Sequence, residues 1–264
     1  MVTEFLFQGG KVKALTFSYD DGQVFDRRLV ELFNRYQMKS TFHLNSGKIG
    51  KEGYVGAHEL TSLYQGHEVA CHGKEHCYLR QLTKEQMIKE IWEDRSSLEG
   101  WMKQLVVGMS YAFGEYSESA IKTLECLGIQ YSRTVESTGY FCLPDHFMRW
   151  QPTCHHNDHI LDKADRFLNL PEYMRLPLFY IWGHSFEFER ENNWDLMEAF
   201  CEKVAFKEDV WYATNIEIKN YICAMRSVIF SLDESLCYNP SGISVWLKTA
   251  QDIIELKPGE TLAL

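Results

Sequence analysis

Closely spaced cysteine pairs are missing from this sequence, although it contains eight cysteines in 264 residues. Zinc ribbons and thioredoxin-type redox sites are built on C-x-x-C pairs, so neither kind of site is predicted. A chain of this length buries enough apolar surface to fold without disulfides. We therefore expect reduced thiols, as in a cytoplasmic protein.

Clustered positive charge and long apolar runs are also missing. Lys plus Arg total 27 against 37 for Asp plus Glu, a formal net charge of −10. Nucleic acid and anionic membranes both require clustered positive charge, so neither partner is predicted. No stretch reaches the roughly 18 apolar residues of a membrane segment, and the N-terminus lacks a signal-peptide pattern. We expect a cytoplasmic protein if Met1 is the native start, and an extracellular or cell-surface protein if a leader has been removed.

The remaining pattern alternates β-rich runs with amphipathic helical stretches, which is typical of βα units around a parallel sheet. The predicted strands are 12–18, 40–44, 68–71, 106–111, 129–135, 176–182 and 210–214. The predicted helices are 26–36, 57–65, 83–102, one that starts at Ser117, and 193–204. The stretch 136–169 is irregular, which predicts a loop that lines a site. A β hairpin is predicted around Lys257-Pro258-Gly259.

These elements predict an α/β fold of one domain over residues 1–264. The favoured architecture is a distorted (β/α) barrel of about seven βα units, followed by a C-terminal β extension from about residue 238. A doubly wound open sheet is the alternative. In a barrel, catalytic groups gather at the C-terminal ends of the strands.

Acidic and imidazole side chains follow three of the predicted strands. Asp20 and Asp21 come directly after the first strand, His72 and His76 after the third, and His184 at the end of a later one. Two histidines four residues apart can bind one metal ion through their imidazole nitrogens. With Asp21 they form a two-histidine, one-carboxylate set that leaves coordination positions open for water and substrate.

The order of these pieces resembles the polysaccharide deacetylase family, also called the NodB-homology family. Its motif T-F-D-D-G resembles T-F-S-Y-D-D-G at 16–22, and its motif H-[ST]-x-x-H resembles 72–76, with Gly73 in place of the hydroxyl residue. Its last motif, L-x-H, resembles 182–184, with tryptophan in place of leucine. The resemblance extends over roughly residues 11–204.

The resemblance implies a role for each motif residue: metal ligation by Asp21, His72 and His76, general-base catalysis by Asp20, and general-acid catalysis by His184. Zinc is the favoured divalent metal, and cobalt, nickel and iron(II) are compatible with the same ligands. Such a cation lowers the pKa of a water molecule and polarises the acetyl carbonyl, while a base and an acid move protons. A backbone N–H near Tyr111 is expected to stabilise the oxyanion.

Two family motifs are altered, which indicates an atypical subgroup. The third, R-x-P-[YF]-G, is matched by S-Y-A-F-G at 110–114, without the arginine that orients the catalytic aspartate. Arg133 or Arg149 is a candidate replacement. The fourth motif, D-x-x-D-W, has no clean counterpart, with Trp150 proposed for its aromatic wall and Asp145 for its acid. The residues expected to contact substrate are Tyr111, Phe113, Trp150 and Trp182.

Other polar residues are placed near the predicted site by sequence alone. His43 and Asn45 follow the second strand and are expected to approach the site. His155, His156 and His159 could bind a second metal, although a solvated polar loop is the favoured interpretation.

The predicted function is metal-dependent hydrolysis of N- or O-acetyl groups of a carbohydrate. One alternative is a metal-dependent hydrolase of a non-carbohydrate amide. The other is a catalytically weakened, carbohydrate-binding relative that lost activity with the motif arginine.

Overall fold

The computed structural model describes residues 4–264, so Met1, on which the expected location depends, lies outside the described residues. The strands in chain order are β1 Glu4–Leu6, β2 Lys13–Asp21, β3 Thr41–Leu44, β4 Glu68–Cys71, β5 Gly108–Ser110, β6 Tyr131–Arg133, β7 Cys154–His155, β8 Leu178–His184, β9 Val210–Tyr212, β10 Ile229–Phe230, β11 Leu236–Tyr238, β12 Val245–Lys248, β13 Ile253–Leu256 and β14 Thr261–Ala263. The helices are α1 Asp26–Arg35, α2 Leu60–Leu63, α3 Lys84–Met102, α4 Glu118–Cys126, α5 Ile160–Leu168, α6 Ser185–Arg190, α7 Trp194–Val204 and α8 Asn215–Ser227. Within residues 4–264, no helix has both the length and the apolar character needed to cross a bilayer.

Seven parallel strands curl into a distorted barrel in the order β6-β5-β4-β3-β2-β8-β7, and β9 pairs with the first residues of β2. The segment that leads into β7 joins the two ends of this order. The Trp150 N–H donates to the Ser132 carbonyl at 3.0 Å, and the Thr134 N–H donates to the Trp150 carbonyl at 2.9 Å. The predicted (β/α) barrel is therefore confirmed, and the open-sheet alternative is not the fold.

The alternation of side chains along β2 explains the two environments of the barrel wall. Phe17 and Tyr19 face the helices, and the Phe17 ring lies 4.5 Å from that of Phe33 on α1, measured between centroids. Burying such a side chain contributes about 1.5–3 kcal/mol to stability. Ser18 and Asp20, which alternate with these two residues along the strand, point into the barrel, where both contact Arg133. Barrel interiors are usually filled by branched apolar residues; here the upper layers are polar.

Capping residues define several helix starts as predicted. Thr83 and Gln86 form a reciprocal capping box at the start of α3, and Ser117 accepts a hydrogen bond from the Ala120 N–H at the start of α4. Three helices were not predicted. α6 begins at Ser185, directly after β8. α5 lies inside the stretch expected to be irregular, and α8 starts with a Thr214 capping box that the sequence analysis did not use.

The start of α8 closes the lower end of the barrel. The Asn215 amide donates to the Tyr180 hydroxyl at 2.6 Å and accepts from the Thr16 hydroxyl at 2.8 Å. Glu68 accepts from the Ile216 N–H at 2.9 Å, so a buried carboxylate also faces the positive end of the helix dipole. The barrel is therefore closed at this end, and its polar upper layers open at the other.

The C-terminal strands form two small antiparallel sheets, β1-β12-β13 and β10-β11-β14. The predicted hairpin around Lys257-Pro258-Gly259 is wrong, because the strands on either side of this turn do not pair with each other. β13 pairs with β12, whereas β14 pairs with β11. A local turn signal predicted the reversal of the chain correctly but could not define which strands it joins.

Candidate active site

Asp21, His72 and His76 come together at the C-terminal end of the barrel. His72 Nε2 lies 3.1 Å from His76 Nε2, and Asp21 Oδ1 lies 3.8 Å and 3.9 Å from these two nitrogens. Asp21 ends β2, and both histidines belong to the loop after β4. The sequence prediction that these three side chains converge at strand ends agrees with this geometry.

The hydrogen bonds of His72 define which of its ring nitrogens is free. His72 Nδ1 lies 3.0 Å from the Ser110 carbonyl oxygen, which can only accept, so Nδ1 carries the proton. Nε2 therefore presents a lone pair to Asp21 and His76. Asp94 on α3 accepts from the His72 N–H at 3.1 Å and from the Ser46 N–H at 2.8 Å. This buried carboxylate ties the His72 loop to the loop after β3.

Two of the three clustered residues have backbones in the left-handed region, with φ of 84° at Asp21 and 59° at His76. A side chain other than glycine in this region costs about 1–2 kcal/mol. Asn45 holds one of these loops in place, because its amide donates to the carbonyls of His72 and Gly73 at 2.9 Å and 2.8 Å. Strained backbones supported in this way are characteristic of ligand sites.

The donor set fits a divalent cation. Two imidazole nitrogens and one carboxylate oxygen around a tetrahedral zinc ion are separated by about 3.4 Å, close to the three distances observed here. Asp21 Oδ1 is buried and has no hydrogen-bond partner among residues 4–264. A buried carboxylate oxygen without a hydrogen-bond donor is costly unless a cation neutralises its charge or an ordered water donates a hydrogen bond to it. These observations favour a metal ion rather than a closed hydrogen-bond network.

Asp20 is buried beside this ligand set and is held by two strands on the far side of the barrel. The Ser110 hydroxyl on β5 donates to Asp20 Oδ1 at 3.1 Å, and the Arg133 guanidinium on β6 binds Oδ2. Burial acts to raise the pKa of Asp20, but the charge of Arg133, together with His72, His43 and His184, outweighs burial and holds this pKa well below its usual range. Asp20 is therefore ionised at neutral pH, 3.7 Å from His72 Nε2.

Arg133 occupies the place left by the missing motif arginine. Its side chain is fully buried, its Nε donates to the Ser18 hydroxyl at 3.1 Å, and its guanidinium lies 4.5 Å from the Trp182 ring centroid. Arg149, the other candidate, lies outside the barrel and pairs with Glu118. Of the two candidates, only Arg133 contacts Asp20.

His184 lies opposite Asp20, since these two residues are register partners on β8 and β2. Its Nδ1 lies 3.2 Å from Glu187 Oε2, and its backbone N–H donates to the same oxygen at 3.1 Å. Burial favours the neutral imidazole, but the hydrogen bond to Glu187 and the charge of Asp20 outweigh it and raise the pKa of His184. The motif acid proposed at Asp145 is wrong, because Asp145 is exposed and Glu187 is the carboxylate beside His184.

His155 and His156 approach Glu187 from the segment around β7. His155 Nε2 lies 3.0 Å and His156 Nε2 3.5 Å from Glu187 Oε2. His159 is exposed and pairs with Asp162, so the predicted trio does not assemble. Although His155, His156 and Glu187 have the composition of a metal site, the His155 Nδ1 accepts from the Asn157 N–H at 3.2 Å. Its Nε2 consequently carries the proton and donates to Glu187, which favours a hydrogen-bond network.

The aromatic residues expected to contact substrate divide into two groups. Phe113 is 46% exposed and stacks on Tyr78 with 3.7 Å between centroids, and its ring lies 4.5 Å from that of His76. Trp182 lies beside Arg133 and has its ring 5.8 Å from that of His184. Phe113 and Trp182 therefore both border the cluster of carboxylates and imidazoles.

Tyr111 and Trp150 do not reach the cleft, which corrects the expectation for both. Tyr111 is fully buried, and its hydroxyl donates to the Met148 carbonyl at 2.8 Å. Trp150 packs between Tyr131 and Tyr180 inside the barrel. The Tyr111 N–H is also occupied, since it donates to the Arg133 carbonyl at 3.0 Å, so it is not a free oxyanion donor.

Sequence reasoning missed Ser110, Glu187 and Tyr78. Glu187 had a local signal, because it stands three residues after His184, the position from which a carboxylate accepts from the backbone N–H at a helix start. His43 was expected near the site and is there: it is buried, it is the register partner of Asp20 on β3, and its Nδ1 lies 3.3 Å from the Cys71 carbonyl. Ser110 was aligned with the missing motif arginine, but its hydrogen bond to Asp20 had no local signal, because it joins separate βα units. The same holds for the stacking of Tyr78 on Phe113.

The fold and the site define a (β/α)-barrel protein with a candidate divalent-metal centre at the C-terminal rim of the barrel. The family model described as polysaccharide deacetylase matches residues 8–132, which carry Asp20, Asp21, His72 and His76. The resemblance to this family is therefore confirmed over that part of the chain. A comparison with curated proteins gives no match.

Solved structures similar to this chain share its fold at low identity. A protein described as a polysaccharide deacetylase from Mycobacterium smegmatis is 17% identical over 84% of this chain and 94% of that chain, with a TM-score of 0.65. A family 4 acetyl xylan esterase from Clostridium thermocellum, in complex with a cobalt ion, is 13% identical over 78% and 89%, with a TM-score of 0.55. A Streptococcus pyogenes deacetylase in complex with acetate is 18% identical, with a TM-score of 0.44. The match covers 46% of this chain and 55% of that protein, so this chain spans about half of its length.

Proposed function

We propose that this protein is a metal-dependent hydrolase that removes N- or O-acetyl groups from a carbohydrate. The observation that carries this proposal is the position of Asp20 and His184. An ionised carboxylate and an imidazole of raised pKa face each other across one strand pair, beside a set of cation ligands. Acyl hydrolysis requires a base for water and an acid for the leaving group, and this arrangement offers both.

Asp21, His72 and His76 would hold the divalent metal, for which zinc is favoured by two imidazoles and one carboxylate. The cobalt ion in the similar acetyl xylan esterase supports a divalent cation of this type. When bound, such a cation supplies Lewis-acid chemistry, which activates water and polarises a carbonyl group.

Asp20 acts as the general base. Its Oδ1 and Oδ2 are fixed by Ser110 and Arg133, so the carboxylate keeps one orientation while it takes a proton from water. Arg133 keeps Asp20 ionised, which prevents loss of the base by protonation near neutral pH. The presence of Arg133 argues against a weakened relative, because the function of the altered motif is retained by a residue of another strand.

His184 acts as the general acid for the departing amine or alcohol. Its Nδ1–H is bound to Glu187, so Nε2 is the nitrogen that delivers a proton to the leaving group. The leaving group belongs to an acetylated saccharide in this proposal. Support comes from the exposed Phe113 ring at the edge of the site, which offers an apolar face to a sugar, and from the substrates named for the similar proteins.

Acetate release by zinc- or cobalt-loaded protein tests the proposal. The panel contains chitooligosaccharides, peptidoglycan fragments, acetylated xylan and aryl acetates, and Asp20→Asn is the matched variant because it retains the ligands Asp21, His72 and His76. We expect release by the parent protein and at least a 100-fold loss in Asp20→Asn with unchanged metal content. Undiminished release in Asp20→Asn would exclude Asp20 as the base. If the metal-loaded protein releases acetate from none of the saccharides, the proposed substrate becomes a non-carbohydrate amide.

A further inference from the structure

One oxygen atom of Glu187 receives three hydrogen bonds. Glu187 Oε2 accepts from the His184 backbone N–H at 3.1 Å, from His184 Nδ1 at 3.2 Å and from His155 Nε2 at 3.0 Å. Two of these donors belong to His184 itself, three residues earlier. The third comes from β7, 32 residues away along the chain. A carboxylate held from two elements has less freedom than one held by its own helix turn.

His155 is fixed as a donor in this contact. The Asn157 N–H points at His155 Nδ1 at 3.2 Å, which requires a lone pair there, so the proton of the neutral ring resides on Nε2. The ring is also held edge-on against Trp182, with centroids 4.9 Å apart at 83°. Both hydrogen bonding and packing therefore aim the Nε2–H of His155 at Glu187.

Glu187 has a competing partner on its solvent side. Arg190 on the same helix lies 3.4 Å from Glu187 Oε1, and its side chain is 59% exposed. Without the donor from His155, the hydrogen bonds to Glu187 Oε2 within residues 4–264 would come from His184 alone, so the carboxylate can turn toward Arg190 and water. His155 thus helps to keep Glu187 hydrogen-bonded to His184.

We propose that His155 is a positioning residue for His184, acting through Glu187. The inference rests on the proposed function, in which His184 is the general acid. By keeping Glu187 Oε2 on His184 Nδ1, His155 keeps the Nδ1–H tautomer of His184 populated and reserves Nε2 for the substrate. His155 itself does not contact the transferred proton.

Kinetics of three variants test this role. His155→Leu removes the donor, His155→Gln restores an N–H near the position of Nε2, and His159→Leu is the control because it removes an exposed histidine of the same segment. We expect His155→Leu to lower kcat about 10-fold with KM within twofold, and His155→Gln to recover most of the loss. An equal loss in His155→Gln would overturn the proposal, because it would indicate packing rather than hydrogen bonding.

A second readout does not depend on turnover. Long-range proton–nitrogen correlation spectra of the metal-loaded protein report the tautomer of His184. We expect Nδ1–H in the parent protein and in His155→Gln, and a mixture of both tautomers in His155→Leu. An unchanged tautomer in His155→Leu would overturn the inference even if acetate is released, whereas absent acetate release alone would count only against the proposed function. A second equivalent of zinc that His155→Leu removes would also overturn it, because His155 would then be a ligand.

Discussion

Ser110 and Arg133 are register partners on β5 and β6, and both hold the carboxylate of Asp20. Ser110 occupies the position at which the family motif has arginine, and the guanidinium instead extends from the neighbouring strand. An arginine on β6 instead of β5 still places a positive charge at Asp20, because Ser110 and Arg133 point into the same layer of the barrel.

Replacing Arg133 should change the pH dependence of activity. In Arg133→Met, the largest charge that opposes the effect of burial on Asp20 is lost, so the pKa of Asp20 rises and the base is protonated at a higher pH than in the parent protein. We expect the acid limb of the kcat/KM profile to move upward by at least about one pH unit. The pH profile of acetate release provides the measurement.

Arg133→Lys and Arg149→Met serve as controls for this change. The lysine retains a positive charge and should move the acid limb less, while Arg149→Met should behave as the parent protein because Arg149 forms its salt bridge with Glu118 outside the barrel. Arg133→Met also leaves a buried carboxylate unpaired, at a cost of about 3–5 kcal/mol in unfolding free energy. An unchanged acid limb in a folded Arg133→Met protein would contradict the role assigned to Arg133.

Metal removal should lower thermal stability through the Asp21, His72 and His76 set. A ligand present at 100 times its Kd stabilises the folded state by about 2.7 kcal/mol. For a chain of this size, we expect chelation to lower Tm by roughly 5–10 °C. Asp21→Ala should have the lower Tm from the start and show no further shift, whereas His159→Ala should respond to chelator as the parent protein does. Equal shifts in Asp21→Ala and the parent protein would show that the metal binds elsewhere.

Phe113 and Trp150 should respond to substitution in different ways. Phe113 is exposed at the site, so Phe113→Ala should raise KM for an acetylated oligosaccharide about 10-fold with little change in kcat and in unfolding free energy. Trp150 is 1% exposed within the barrel, so Trp150→Ala should lower the unfolding free energy by about 3–5 kcal/mol. Steady-state kinetics and urea titration distinguish these outcomes. A large KM effect in a fully stable Trp150→Ala protein would refute the assignment of this residue to the core.

Asp26 should make the protein less stable as pH rises. Burial raises the pKa of Asp26 to about 7, and Tyr64 and Ser185 donate hydrogen bonds to it. Between about pH 4 and pH 7 the folded chain retains a proton that the unfolded chain has released, so unfolding free energy falls with rising pH, by up to about 1.4 kcal/mol per unit. This contribution is complete below the unfolded pKa and lost above the folded one.

Asp26→Asn removes this titration. We expect its unfolding free energy, relative to the parent protein, to increase between pH 5 and pH 8 in urea titrations. Asp162→Asn is the control, since Asp162 is exposed on α5. An identical difference between Asp26→Asn and the parent protein at both pH values would contradict a raised pKa for Asp26.

The amino-acid sequence by itself determined the barrel and the residues at its rim. Hydrophobic periodicity and capping residues are local, so β2, β4 and α3 could be predicted near their observed bounds. Parallel strands in a barrel place their C-terminal ends on one rim, so motifs after separate strands, such as Asp21 and His72, were expected to converge. Asp21 Oδ1 and His72 Nε2 lie 3.8 Å apart, in agreement with this expectation.

Only the tertiary structure decided which side chains support these residues. The choice of Arg133 over Arg149 depends on the register between β5 and β6, and register is set by contacts distant in sequence. The burial of Trp150 depends on the segment that closes the barrel, which no local pattern indicated. Glu187 reaches His184 through one helical turn, but His155 meets it through the pairing of β7 with β8. Local physics thus defined the reactive groups, and strand pairing defined the environment that tunes them.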